Sequence, residues 1–178
     1  SVKKVFGGII NNTFLIVAVV VVVWAVLFAV MMTMNKKRQV KANEFKNENV
    51  NKAIVHLYGN NLKIDGNDIS QFNVIIGENL EKVVAVEGGK HSIEGVFETT
   101  TLGATGKNIS IKTEKLQFEV ELQSGNSYVV GIYDYSPEDR ERYIKEYGNM
   151  GEDILVMPLS LCKESEHASG CLVVSRNK

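Results

Sequence analysis

The only two cysteines of the chain close the stretch "CKESEHASGC", Cys162 to Cys171, with His167 between them. Three chemistries suit such a pair: a metal site, a redox couple or a disulfide. Eight residues separate the sulfurs, unlike the C-x-x-C spacing of zinc ribbons and thioredoxin-type sites. Two thiolates and His167 leave a zinc set incomplete unless His56, His91 or a carboxylate folds in. The flanking runs "DILVMPLSL" and "CLVVSR" read as the arms of a hairpin, which favours a disulfide between Cys162 and Cys171, with two buried free thiols as the alternative. A staple over a loop of this length is worth about 2 to 3 kcal/mol.

A second group lies in "SYVVGIYDYSPEDRERYIKEY", where Tyr133, Tyr135, Arg140 and Tyr143 combine the residue types that anchor binding surfaces. These four are the candidate binding residues. The other groups that chemistry could use read as structural. His56 alternates with Ile54 and Tyr58 as a half-buried histidine, and His91 opens a strand beside a glycine turn, where bonding to the backbone is its expected role. Asp65 and Asp68 in "IDGND" resemble the start of a calcium loop, but no glutamate follows at the required distance, so a turn is expected. There is no G-x-S-x-G and no phosphate-binding glycine loop. No catalytic residue, metal or cofactor is expected.

These residues must be positioned by two kinds of element. The run "FLIVAVVVVVWAVLFAVMMTM", Phe14 to Met34, holds 21 residues without a charge. At about 1.5 Å per residue it covers the roughly 30 Å of a bilayer's hydrocarbon core. Valine is a mediocre helix former in water, but lipid offers the backbone no other partner, so the run is expected to be helical. Trp24, at mid-span, is expected to pack against a neighbouring helix. Residues 1–13 form a tail, and 35–52 a polar stalk, helical at its start and fraying in the asparagines near Asn47.

From residue 53 to 178 the pattern changes to a period of two. In "KLQFEVELQ", Leu116, Phe118, Val120 and Leu122 share one face, with charged and amide residues opposite. Further strands are read in "AIVHLYG", "LKIDG", "FNVIIG", "KVVAVEG", "HSIEGVFETTT", "NISIKT" and "SYVVGIYDY", separated by glycine- and asparagine-rich turns. One helix interrupts them, "SPEDRERYIKEYG", with Ser136 as its cap, Pro137 at its first position and Gly148 closing it. The expected fold is a single N-terminal transmembrane helix followed by a mainly-β domain, an antiparallel β-sandwich with one short helix.

"VEGGKHSIEGVFE" and the later "FEVELQSGNSYVVGIY" resemble the small bacterial β-sandwich modules related to PEGA domains. The matching residues are Gly89, His91, Ile93, Leu122, Gly125 and Tyr128, within a region of roughly 57 to 135. The resemblance implies an extracytoplasmic binding or scaffold module without catalytic residues.

Charge bounds the partners. From Asn47 onward the chain has 13 Lys and Arg against 20 Asp and Glu, a net of minus seven, which argues against nucleic acid. Five cations (Lys36, Lys37, Arg38, Lys41 and Lys46) flank the apolar run on its C-terminal side against Lys3 and Lys4 on the other, a pattern that favours a cytoplasmic β domain. The cysteine pair, the strand-rich fold and the resemblance favour the extracytoplasmic, periplasmic side, which is the expectation here. The expected partners are membrane lipid and other membrane-protein subunits. The expected function is that of a single-pass, non-catalytic accessory or scaffold subunit of an envelope membrane complex. A membrane-tethered domain for a small ligand or glycan is the alternative.

Overall fold

The structure, a computed structural model, describes residues 2–103, 105–149, 151–163 and 166–177, with side chains for 11–103, 105–149, 151–160 and 169–177. The chain forms two compact units that divide between Val40 and Lys41.

The first unit is the apolar part of helix α1 (Val2–Glu48). No proline interrupts it, and along its most apolar window nothing is buried. Valine, leucine, phenylalanine and methionine side chains from Phe14 to Met34 point outward all round the helix. An all-round apolar surface of this length belongs in lipid rather than water. The helix is long and apolar enough to span a membrane. Thr33 satisfies itself within it, its hydroxyl donating to the Ala29 carbonyl at 2.8 Å. Trp24 is 65% exposed and stacks on Phe28 at 5.5 Å, so its contact lies within its own helix.

The second unit begins inside α1. The stalk is helical through Glu48, and its last turns belong to the β domain. Phe45, only 5% exposed, packs on Ile54, Val83, Ala85 and Ile75. Asn49 is buried as well. Its amide donates to the Phe45 carbonyl at 2.8 Å, and its carbonyl accepts from the Asn73 amide at 3.3 Å. Of the asparagines that weaken the helix by propensity, Asn49 therefore ends it with specific bonds.

Among the described residues ten strands follow: β1 (Ala53–Leu57), β2 (Gly59–Ile64), β3 (Asn67–Asp68), β4 (Asn73–Ile76), β5 (Lys82–Val86), β6 (Gly89–Leu102), β7 (Asn108–Leu122), β8 (Ser127–Tyr133), β9 (Gly151–Lys163) and β10 (Glu166–Asn177). They form one continuous ladder, β3-β2-β6-β7-β9-β10-β8-β1-β5-β4. Every neighbouring pair is antiparallel except β1 with β8, so the expected mainly-β, antiparallel domain behind an apolar N-terminal helix is what forms, with one parallel pair in it. The ladder folds over on itself, so Leu62, Ile93, Phe97 and Phe118 from one end share a core with Val55, Val84, Tyr128 and Leu172 from the other. Tyr128 is 1% exposed, and its hydroxyl accepts the Gln123 N–H at 2.9 Å, pinning the β7–β8 turn.

The bend that allows this lies in the β6–β7 hairpin. Val96 faces Lys115 but Glu98 faces Lys112, so Phe97 stands opposite two residues. Thr113 fills the broken ladder there. Its hydroxyl accepts the Phe97 N–H at 3.0 Å and donates to the Glu114 carbonyl at 2.7 Å. Beyond this bulge β7 continues to β9, where Ile111 and Lys112 pair with Lys163 and Cys162. "NISIKT" and "KLQFEVELQ" are thus one strand bent at a bulge, a usual device for turning a sheet corner. Gly95, just before it, allows a close approach: a Cβ there would lie 2.6 Å from Leu62 Cδ2.

Asp65 and Gly66, at φ 53° and 78°, form the two-residue turn between β2 and β3, the primed geometry that suits hairpins and that Asp-Gly adopts readily. Asp68 caps the following 3-10 turn (Ile69–Gln71) by accepting the Ser70 N–H at 2.9 Å. The two aspartates of "IDGND" serve turns.

Candidate functional site

Helix α2 (Pro137–Tyr147) carries the residues singled out for binding. Its ends are as the sequence dictates. Ser136 accepts the Asp139 N–H at 3.2 Å, Glu138 and Asp139 sit at the positive end of the dipole, and the Gly148 N–H closes on the Ile144 carbonyl at 2.8 Å. Such a short, polar helix gains little from propensity. What holds it is Arg140.

Arg140 is 7% exposed. Its Nε and Nη2 donate to the two oxygens of Asp153 on β9, at 2.7 and 2.9 Å, and Nη1 donates to the Tyr135 hydroxyl at 2.9 Å. The guanidinium carbon lies 4.8 Å from the centre of the Tyr133 ring, and Tyr133 stacks on Tyr135 at 5.1 Å. Asp153 accepts two further bonds, from Asn149 Nδ2 at 3.1 Å and Ser175 Oγ at 3.0 Å. The network is a bidentate ion pair with its remaining capacity met by neutral groups, the condition under which a buried pair is tolerated.

The electrostatics follow from that geometry. The Arg140 hydrogen bonds hold the Asp153 carboxyl below its usual range against the opposing effect of burial, with Asn149 and Ser175 adding to the shift. Arg140 in turn is held more firmly protonated, chiefly by Asp153. Burial raises the Tyr135 hydroxyl, which its bond from Arg140 only partly offsets. Arg140, Asp153 and Tyr135 are each shifted away from neutral pH and hold their protonation states there.

The four binding candidates divide in this network. Tyr133, Tyr135 and Arg140 are consumed in fastening α2 to the sheet. Tyr143 alone of the four is well exposed, at 55%, and it is joined by Tyr147 at 67%, with ring centroids 4.9 Å apart. The two lie at i and i+4, one above the other on the helix surface. Asp153, the partner that decides the matter, reads in sequence only as the polar start of "DILVMPLSL".

The cysteine staple is corrected by the strand register. β9 and β10 continue as strands through most of the supposed loop, and the register places Cys162 opposite His167 but Cys171 opposite Pro158. The two cysteines are four residues out of step, about 13 Å along the strands at roughly 3.3 Å per residue. A disulfide needs Cα atoms within about 4.4 to 6.8 Å. Cys171 is a free, fully buried thiol, raised by burial and thus neutral rather than a thiolate. The side chains of Cys162 and His167 lie outside the described residues.

The remaining histidines are held by neighbours. His56 Nδ1 lies 2.9 Å from Glu81 Oε1. His91 Nε2 donates to the Glu87 carbonyl at 2.6 Å, and Nδ1 meets Asp65 Oδ2 at 2.6 Å. The Asp65 carboxyl is lowered even though burial opposes the shift, because the Ser92 N–H and His91 both bind it. Together they tie the β2–β3 turn to the start of β6. Among the described residues no group of three or more His, Cys, Asp or Glu side chains is arranged to hold a metal ion. Comparison of the chain with protein-family models, curated proteins and solved structures finds no match.

Proposed function

We propose that the chain is a membrane-anchored, non-catalytic interaction module, an accessory subunit whose β domain docks on neighbouring subunits of a membrane complex. One observation carries this reading. Arg140 of the tyrosine-rich segment is paired off inside the domain, while the Tyr143–Tyr147 pair is left outside on a helix that this buried ion pair fastens to the sheet. Rigid exposed tyrosines contribute large contact area at small entropic cost. A photoreactive phenylalanine analogue placed at position 143 is expected to cross-link in native membranes to a partner subunit, giving one discrete adduct. The same analogue at the exposed Lys112 serves as the control. Equal, diffuse labelling from both positions would remove the support for this face.

With the staple gone, two arguments bear on the side of the membrane. The resemblance to extracytoplasmic modules stands against five cations on the C-terminal flank of the apolar run, and the charge bias is the argument with a direct physical cause. It supports a cytoplasmic β domain. In sealed right-side-out vesicles an impermeant amine reagent is expected to spare Lys112 and Lys115, whose side chains are 57% and 63% exposed, until detergent is added. Modification of both in sealed vesicles would put the domain on the extracytoplasmic side.

A further inference from the structure

The two ends of the ladder do not meet. β3 is two residues long and pairs only with Lys63 and Ile64 of β2, while β4, at the other end, pairs only with β5. The connection across the gap is the 3-10 turn at Ile69–Gln71. This seam holds a cavity of about 420 Å³, lined from one end of the ladder by Leu62 and from the other by Val74, Ile75 and Ile76, with Ile69 between. Its volume lies within the ~300 to 1,000 Å³ range of small-ligand sites, and its apolar lining with a few polar groups is their usual make-up. Leu62 and Ile69 are 2% and 7% exposed, so the cavity has a closed apolar floor, whereas Ile76 at the mouth is 46% exposed.

The polar groups of the lining are not neutral in sum. Lys41 and Lys82 contribute two ammonium groups and Asp68 one carboxylate, accompanied by Ser70 and Asn61. Asp68 is already engaged by the Ser70 N–H. Lys82 donates to the Gly59 carbonyl at 3.0 Å, which fixes its position and leaves two of its N–H groups for another acceptor. An apolar slot with one net positive charge is complementary to an apolar chain that ends in one acidic group.

We infer that this seam is a binding site for a singly anionic amphiphile, an alkyl chain with a carboxylate or phosphodiester head, with the chain against Leu62 and Ile69 and the head at Lys41 and Lys82. The source is a free long-chain acid or an acidic membrane lipid. Six residues separate Met34, the end of the apolar run, from Lys41, with which the second unit begins. The site shares no residue with the Tyr143–Tyr147 face and does not depend on that face having a partner.

The test uses the full chain in phosphatidylcholine nanodiscs with two probes in separate arms: dodecanoic acid carrying a mid-chain diazirine, and phosphatidylglycerol carrying the same group on one acyl chain. After irradiation the modified peptides are mapped. Labelling is expected within residues 61–76, competed by unlabelled dodecanoate. It should fall at least about tenfold for Lys41→Gln/Lys82→Gln, since a charge-assisted bond is worth about 1.5 to 3 kcal/mol. Glutamine at 82 keeps an N–H for the Gly59 carbonyl, and Lys41→Gln alone, on an exposed residue, gives a partial loss that folding cannot explain. Labelling in the acid arm alone identifies a free acid, and labelling in the lipid arm alone a membrane lipid. The inference is overturned if labelling in both arms is confined to residues 14–34, or if the methyl ester of the dodecanoic acid probe labels 61–76 as well as the acid does.

Discussion

Arg140→Met destabilises the β domain by about 3 to 5 kcal/mol, the usual cost of removing one partner from a buried ion pair. For a unit of this size that is a fall in melting temperature on the order of 10 °C. Methionine keeps much of the apolar stem, so most of the effect comes from leaving Asp153, 14% exposed, without its guanidinium and with only Asn149 and Ser175 as donors. The double variant Arg140→Met/Asp153→Leu is expected to recover a large part of the loss, because no unpaired charge remains. Equal loss in the single and double variants would show that packing, and not the charge pair, holds α2. The pair also sets an acid limit. Asp153 titrates below its ordinary value of 3.8 when folded, so its contribution is complete above about pH 4 and is lost as pH falls through the lower native value. Below pH 4, Asp153→Asn, already less stable at neutral pH, should lose less additional stability than the parent.

Charges placed in the apolar helix have the second large effect. Val22→Asp/Val26→Asp puts two carboxylates near the middle of the run, at about 2.5 to 3.5 kcal/mol each on a membrane-insertion scale. Both valines are more than half exposed in α1 and belong to the unit that ends at Val40. The parent chain is expected to stay in the pellet after alkaline carbonate extraction and the double variant to move to the supernatant, with the melting of the β domain unchanged. If the parent itself is released by carbonate, the helix is not embedded.

Those two predictions rest on features of very different legibility. The apolar run and the caps of α2 are local: twenty-one uncharged residues, Ser136, Pro137 and Gly148 stand beside the atoms they act on, and a reader of the sequence finds them. The alternation in "KLQFEVELQ" is equally local and is realised as β7. The partner of Arg140 is not, because Asp153 lies beyond the end of α2 and only the placement of β9 brings it within reach. The cysteine register failed for a related reason. "EHASG" is polar and reads as a loop, but a ladder needs only backbone groups, and β10 runs through it from Glu166, so Cys171 slides past Cys162. Phe45 gave no periodic signal, being one aromatic in a polar stretch whose apolar surroundings arrive from β1, β4 and β5. The amphiphile site has no motif at all. It exists because the ladder ends at β3 and β4 without closing.

The measurement that bears most directly on the reading of this chain as an interaction module is the protein mass of the particle extracted from native membranes in mild detergent, by light scattering with the detergent contribution removed. The account predicts a particle of several times the 19.7 kDa of one chain, reduced by Tyr143→Ser/Tyr147→Ser while the melting temperature of the domain stays the same. A parent protein that emerges at 19.7 kDa under the mildest extraction, with the double substitution making no difference, would contradict it.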